Sequence, residues 1–150
     1  MFKDKGDTNK IHDVCWDAKP GSNRFATAGL KHIYFWDTNG RKDKGLFGNF
    51  EQTSFACVAW CGEGMCYTGG ANSKIYVWGG DDGRTCVATM DNFHKAGFIS
   101  ALRFAEGKLF SGGKDGRVNC IDTHSRAVEK FWDLSFVRAI DFFQGKLLVG

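Results

Sequence analysis

Residues 11–16 read Ile11-His12-Asp13-Val14-Cys15-Trp16: an apolar residue, two others, an apolar residue, one other, an aromatic. The same order returns as Phe55-Ala56-Cys57-Val58-Ala59-Trp60, as Ile99-Ser100-Ala101-Leu102-Arg103-Phe104 and as Val137-Arg138-Ala139-Ile140-Asp141-Phe142. The closing aromatics Trp16, Trp60, Phe104 and Phe142 stand 44, 44 and 38 residues apart. A second string follows each copy and ends on glycine: Phe25-Ala26-Thr27-Ala28-Gly29, Cys66-Tyr67-Thr68-Gly69-Gly70, Leu109-Phe110-Ser111-Gly112-Gly113 and Leu147-Leu148-Val149-Gly150. The small residue in its middle (Thr27, Thr68, Ser111) suits a strand packed closely on both faces. A third string is Ile33-Tyr34-Phe35-Trp36, then Ile75-Tyr76-Val77-Trp78, then Val118-Asn119-Cys120-Ile121. Weaker fourth segments lie at 44–47, 85–90 and 127–131.

Three independent registers share a period of about 43 residues, and each unit holds four short strands, which is the period of a β-propeller blade. A blade is apolar on both faces, so it is stable only when neighbours cover it. Helical repeats of similar period need 3.6-residue periodicity and helix formers, whereas these strings favour Val, Ile, Phe, Tyr and Trp and stop at glycine. The expected fold is all-β, with about three and a half four-stranded blades. The units are 11–54, 55–97, 98–135 and an incomplete 136–150, behind a flexible segment at 1–10. Closed propellers use about 4–8 blades. An apolar last string, Leu147-Leu148-Val149, would present an edge that sheets normally protect. The chain is therefore expected to be part of a larger propeller, or to associate with further copies through its open blade edges.

Composition narrows the function. The 150 residues carry 20 Lys+Arg against 17 Asp+Glu, a formal charge of +3, split by thirds as +3, −2 and +2. That balance offers no electrostatic footprint for nucleic acid. No apolar run approaches the ~18–20 residues of a membrane span. The opening Met1-Phe2-Lys3-Asp4-Lys5-Gly6-Asp7 lacks the apolar core of a secretory signal. The six cysteines accordingly read as reduced thiols of a cytoplasmic chain, several of them small core residues. Cys57, Cys61 and Cys66 have looser spacing than structural zinc sites and no evident fourth ligand. Asp81-Asp82-Gly83 reads as a hairpin turn rather than a calcium loop. His12 falls within a first strand, where packing suits it better than catalysis. No phosphate loop or HExxH string occurs. No cofactor and no metal are expected.

The third string of the first unit ends in Trp36-Asp37, and here the chain resembles the WD-repeat family, whose blades close their third strand on that pair. Trp78-Gly79 and Ile121-Asp122 each keep half of it. Trp16-Asp17 and Trp132-Asp133 fall on other strands and do not count blades. The resemblance implies a polar network of His, Ser/Thr, Asp and Trp within each blade. The third unit offers His94, Ser111 and Asp115, with Ile121 in place of the Trp. The second offers Thr68 and Trp78, with Asn72 where Asp is usual, and the first offers Thr27 and Trp36. His94, Ser111 and Asp115 also have the composition of a hydrolase triad, but strand periodicity puts Ser111 inside a blade rather than beside an oxyanion hole.

Within WD-repeat proteins, Thr27-x-Gly29-x-x-His32-Ile33-Tyr34-Phe35-Trp36 followed by Lys44-Gly45-Leu46-Phe47-Gly48 is similar to the echinoderm microtubule-associated-protein-like family. Val77-Trp78 and Ser111-Gly112-Gly113-Lys114-Asp115 continue the likeness, which covers roughly 11–150. It implies association with microtubules or tubulin, hence a cytoskeletal, microtubular or axonemal location. That family's basic region and coiled coil have no counterpart here: residues 1–10 hold three Lys and two Asp, and no heptads occur. The resulting expectation is a non-catalytic protein-interaction scaffold. The alternatives are a cytoplasmic adaptor without tubulin affinity and, in another class, a channel-site enzyme, for which no repeated set of acids or histidines is present. A propeller gathers the loops between second and third strands with those approaching each first strand on one rim. The candidate protein-binding residues there are Lys31, Asn72, Phe93, Lys95, Lys114, Arg117 and Phe136. The cations would suit an acidic partner, and the aromatics could anchor it.

Overall fold

A computed structural model describes residues 9–150, which form fourteen strands and no helix. The segment expected to be flexible, 1–10, lies outside the described residues for its first eight positions.

Four sheets follow one another along the chain. The first contains β1 (Ile11–Trp16), β2 (Arg24–Gly29), β3 (His32–Asp37) and β4 (Lys42–Lys44). The second contains β5 (Phe55–Trp60), β6 (Cys66–Gly70), β7 (Ile75–Gly79) and β8 (Thr85–Met90). The third contains β9 (Ile99–Ala105), β10 (Lys108–Gly113), β11 (Arg117–Asp122) and β12 (Ala127–Asp133). The last is the two-stranded pair of β13 (Ile140–Phe143) and β14 (Lys146–Val149). Every pairing is antiparallel between consecutive strands, so each sheet is a meander.

The alternation within the third strand of each sheet sorts side chains between two interfaces. Ile33 and Phe35 join Trp60, Cys66, Tyr76 and Trp78 in a cluster between the first and second blades. Ile75 and Val77 join Cys57, Ile99, Leu109 and Ile121 between the second and third. The indole of Trp78 is wholly buried, with Phe35 at 6.2 Å and Phe47 edge-on at 5.1 Å. Burying such a side chain is worth roughly 1.5–3 kcal/mol, so a blade is held mainly by its neighbours. Glycine permits the closest approach. A Cβ on Gly69 would sit 2.5 Å from Cys57 Sγ and 2.8 Å from Ile99 Cγ2, and one on Gly112 would sit 2.5 Å from Val137 Cγ1.

Two strand boundaries differ from the sequence reading. The fourth segment expected at 44–47 is instead β4 at Lys42–Lys44. Beyond it Gly45 N still bonds Ile33 O, but Leu46 leaves the first blade and forms a parallel bridge with Thr85 of the second. Leu46 N donates to Arg84 O at 3.0 Å and Leu46 O accepts from Cys86 N at 2.8 Å. A contact with a strand 40 residues away carries no local signature. The string expected to be a strand from Val137 becomes one only at Ile140. Ala139 exchanges bonds with Gly150, and Val137 is used as an interface plug, buried against Gly112.

Each complete blade begins with a β-bulge. The register skips His12 between Ile11 and Asp13, Ala56 between Phe55 and Cys57, and Ser100 between Ile99 and Ala101. A bulge leaves one residue unpaired and redirects its side chain. His12 Nδ1 thereby meets Phe55 O of the next blade at 2.8 Å, and Ser100 Oγ meets Val137 O of the blade after it. Asp13 adds a second tie, accepting Val58 N at 2.9 Å.

Candidate interaction rim

The polar residues predicted to tie each blade form three different arrangements. In the third blade His94 is buried between Asp115 and Ser111. Its Nδ1 lies 3.0 Å from Asp115 Oδ1 and its Nε2 2.9 Å from Ser111 Oγ. A carboxylate can only accept, so Nδ1 carries the proton in this bond and, in the neutral ring, Nε2 accepts from the serine hydroxyl. Asn119 completes the network, with Nδ2 at 3.1 Å from both His94 Nε2 and Phe93 O. Sequence reasoning missed Asn119, whose only signal was a polar residue opposite Ser111 in an otherwise apolar strand. Burial alone would raise the Asp115 pKa, but hydrogen bonds from His94 and from the Lys95 and Arg117 N–H groups outweigh it, and the carboxyl is held below its usual range. Ser111 has 0% of its surface exposed, so no substrate reaches its hydroxyl, and the geometry of a triad serves here to satisfy buried polar groups.

The first and second blades use an indole instead. Trp36 Nε1 donates to Thr27 Oγ1 at 2.9 Å, and Trp78 Nε1 to Thr68 Oγ1 at 2.8 Å. Ile121 occupies the equivalent place in the third blade and has nothing to donate. Asn72 is not joined to Thr68. Its Nδ2 donates to Tyr76 Oη at 2.9 Å, and that hydroxyl donates to Glu51 O at 2.8 Å.

The three cysteines considered for zinc do not converge. Cys57 and Cys61 face the third blade while Cys66 faces the first. Burial pushes the Cys57 and Cys66 thiols up, and Cys86 up to about 11. Asp82 is occupied in its turn, accepting Arg84 N at 3.0 Å and Thr85 Oγ1 at 2.9 Å. His12 makes the interblade bond described above.

The rim itself is assembled by backbone contacts. The segment approaching each first strand is wedged between its own blade's turn and the turn of the preceding blade. Ser54 Oγ accepts Lys31 N at 3.2 Å from the first blade, and Ser54 O accepts Ala71 N at 2.9 Å from the second. Gly97 O accepts Ser73 Oγ at 2.6 Å from the second blade, and Phe98 O accepts Lys114 N at 3.1 Å from the third. Lys95 N bonds Asp115 Oδ2 at 2.7 Å. This series brings Lys31, Asn72, Lys95 and Lys114 onto one edge, with the three lysines exposed and without an ion pair among the described residues. Arg117 differs from them: it holds Asp133 through two bonds of 2.9 and 3.2 Å and lies over the Phe131 ring. Phe93 is half-buried against the core between the second and third blades. Phe136 is 40% exposed, edge-on to Phe98 at 6.1 Å and under Arg138.

Four-stranded antiparallel meanders, stacked through buried third-strand aromatics and tied by Thr–Trp and His–Ser–Asp bonds, are the blades of a WD-repeat β-propeller. Its relatives are WD-repeat and echinoderm microtubule-associated protein-like proteins. The chain is 39% identical over 153 aligned positions to the ciliary WD repeat-containing protein ctxp80 of Euplotoides octocarinatus, covering 99% of this chain and 21% of that protein. It is 31% identical over 124 positions to the 77 kDa echinoderm microtubule-associated protein of Strongylocentrotus purpuratus, covering 77% of this chain and 18% of that one. Thus the chain spans about a fifth of the length of these relatives. No family model matches it. Among solved structures, the computationally designed Ika4 protein superposes with a TM-score of 0.79 at 18% identity, over 100% of this chain and 92% of that one. The WD40 repeats of RRP9 superpose at 0.75 and 17% identity, over 91% of this chain and 43% of theirs.

Proposed function

We propose that the chain is a non-catalytic protein-interaction scaffold of the microtubule cytoskeleton, and that the rim bearing Lys31, Lys95 and Lys114 meets the acidic surface of tubulin. The observation that supports this reading is the set of three exposed lysines on one edge, none of them held in an ion pair among the described residues. Such a patch favours encounter with an acidic partner and rejects a basic one. Asn72 and Phe136 lie on the same edge and would add a polar contact and an aromatic one. Arg117 and Phe93 would support the surface rather than touch the partner, since Asp133 and the core already engage them. The microtubule-associated and ciliary names of the relatives support a cytoskeletal or axonemal location.

Sedimentation velocity of the labelled chain titrated with tubulin tests the reading. A faster boundary with tubulin is expected, and it should disappear in a Lys31→Glu, Lys95→Glu, Lys114→Glu variant. A chain that leaves the tubulin boundary unchanged at low salt would be an adaptor for another partner. A triple variant that still binds would move the contact away from this rim.

A further inference from the structure

The bulge residues give the rim an unequal floor. In the first and third blades a polar bulge side chain bridges to the next blade, His12 to Phe55 O and Ser100 to Val137 O. The second blade has Ala56 at this place, with no side-chain donor to reach the equivalent carbonyl of Ile99, which accepts Cys57 Sγ at 3.4 Å instead. What the missing side chain leaves is a cleft of about 310 Å³ lined by His12, Ser54, Phe55, Ala56, Ala71 and Phe98. Its walls are almost wholly apolar: the buried Phe55, two alanine methyl groups and the Phe98 ring. The volume lies at the low end for ligand pockets and suits one large side chain better than a metabolite.

The charges around this cleft name its occupant. Lys31 is bonded through its backbone to Ser54 on one wall, and Lys114 to Phe98 on the opposite wall. Lys95 N bonds the carboxylate of Asp115, the residue that follows Lys114 in the turn. An apolar hole between lysines on two sides complements an apolar side chain flanked by carboxylates. We infer that the Ala56 cleft is a docking site for an acidic polypeptide segment that inserts one aromatic or large aliphatic side chain between the second blade's turn and Phe98. The inference rests on the rim reading above and adds to it the chemistry of the recognised segment. The apolar anchor supplies the contact that excludes water, and the flanking acids supply steering and register.

Fluorescence anisotropy with two labelled synthetic peptides tests this: one of six glutamates around a central Phe, the other identical but with Ser in place of Phe. The full chain is expected to bind the Phe peptide at least tenfold more tightly than the Ser peptide. Ala71→Gln lies on an exposed turn and adds no charge. It should close the mouth and abolish the preference while leaving weak, salt-sensitive binding of both peptides. Lys31→Gln with Lys114→Gln should weaken both peptides and keep the ratio. Equal affinity for the two peptides, no binding of either, or a ratio unchanged by Ala71→Gln would overturn the proposal. The tubulin titration separates the two readings. Tubulin binding without a Phe preference leaves the basic rim and removes the cleft, whereas a Phe preference without tubulin binding keeps the cleft and removes tubulin as the partner.

Discussion

His94 and Ser111 are joined by a 2.9 Å hydrogen bond at the level of the third blade where the second blade joins Thr68 to Trp78. Both bonds do the same work with different donors. In each case a hydroxyl buried in the second strand is satisfied by a ring from elsewhere in its own blade, and the strand order is fixed by that pairing. The third blade needs more partners, because an imidazole brought into the interior has two nitrogens to satisfy; Asp115 and Asn119 provide them.

Removing one member of that set takes a hydrogen-bond partner from the others in a buried place, and a buried polar atom left unsatisfied costs about 1–3 kcal/mol. His94→Ala is therefore expected to lower the urea midpoint more than Ser111→Ala, since it takes one partner from each of Asp115, Ser111 and Asn119. Chemical denaturation followed by Trp fluorescence reads the order. Equal midpoints for wild type and His94→Ala would show that the network contributes nothing to stability.

Acid should loosen the fold through four carboxylates. Asp115 is held low as described. Asp122 is held low by the Lys108 ammonium and the Ser125 N–H and hydroxyl, Asp133 by Arg117, and Asp82 by the Arg84 and Thr85 groups of its turn. A carboxyl whose pKa is lower folded than unfolded binds fewer protons in the native state, so its contribution is present above the unfolded value of ~3.9 and lost as pH falls through the folded one. Thermal midpoints are expected to be level from about pH 7 to 5 and to fall below about pH 4. Asp122→Asn should shallow that acid limb.

Interblade glycines should resist even a methyl group. Gly69→Ala would press Cβ into Cys57 Sγ and the Ile99 side chain, an overpacking cost of about 1–3 kcal/mol. Gly62→Ala is the control, because its Cβ would meet nothing within 4 Å. Calorimetry is expected to show a lowered transition for the first variant and an unchanged or slightly raised one for the second.

The open blade faces should associate. Val14 and Trp16 are exposed on the first blade, Trp16 by 56%, and Phe143 and Leu148 are exposed on the last pair of strands. In sedimentation equilibrium the average mass should rise with concentration, and Trp16→Lys combined with Leu148→Lys should reduce the rise. A mass equal to the monomer at every concentration would show that these faces do not pair copies of the chain.

Blade count, strand order and the identity of the interface aromatics were legible because they are repeated. A strand that is apolar every second residue and stops at glycine leaves the same mark in each unit, and three such marks at one period admit few folds. The Thr27–Trp36 and Thr68–Trp78 pairs were legible through the resemblance to WD repeats, which implies a polar tie at those positions. Asn119 was not, because it stands in for an indole donor in one blade only. Arg117 looked like a free rim cation because Asp133 lies 16 residues away on the neighbouring strand. Leu46 looked like the end of its own blade's outer strand, whereas its backbone pairs across to Thr85.

The amino-acid sequence alone determined the all-β repeat and the two-faced burial of each third strand, which follow from local periodicity and turn chemistry; the loops expected to share a rim came from the propeller resemblance. The tertiary structure alone decided which cations on that rim are unpaired, which side chain completes each polar network and where a cleft opens. Those outcomes depend on residues one blade apart in sequence meeting within hydrogen-bond distance. Ala56 shows the reason: its small side chain matters because His12 and Ser100, at the corresponding place in the other two blades, reach the next blade with a hydrogen bond that alanine cannot make.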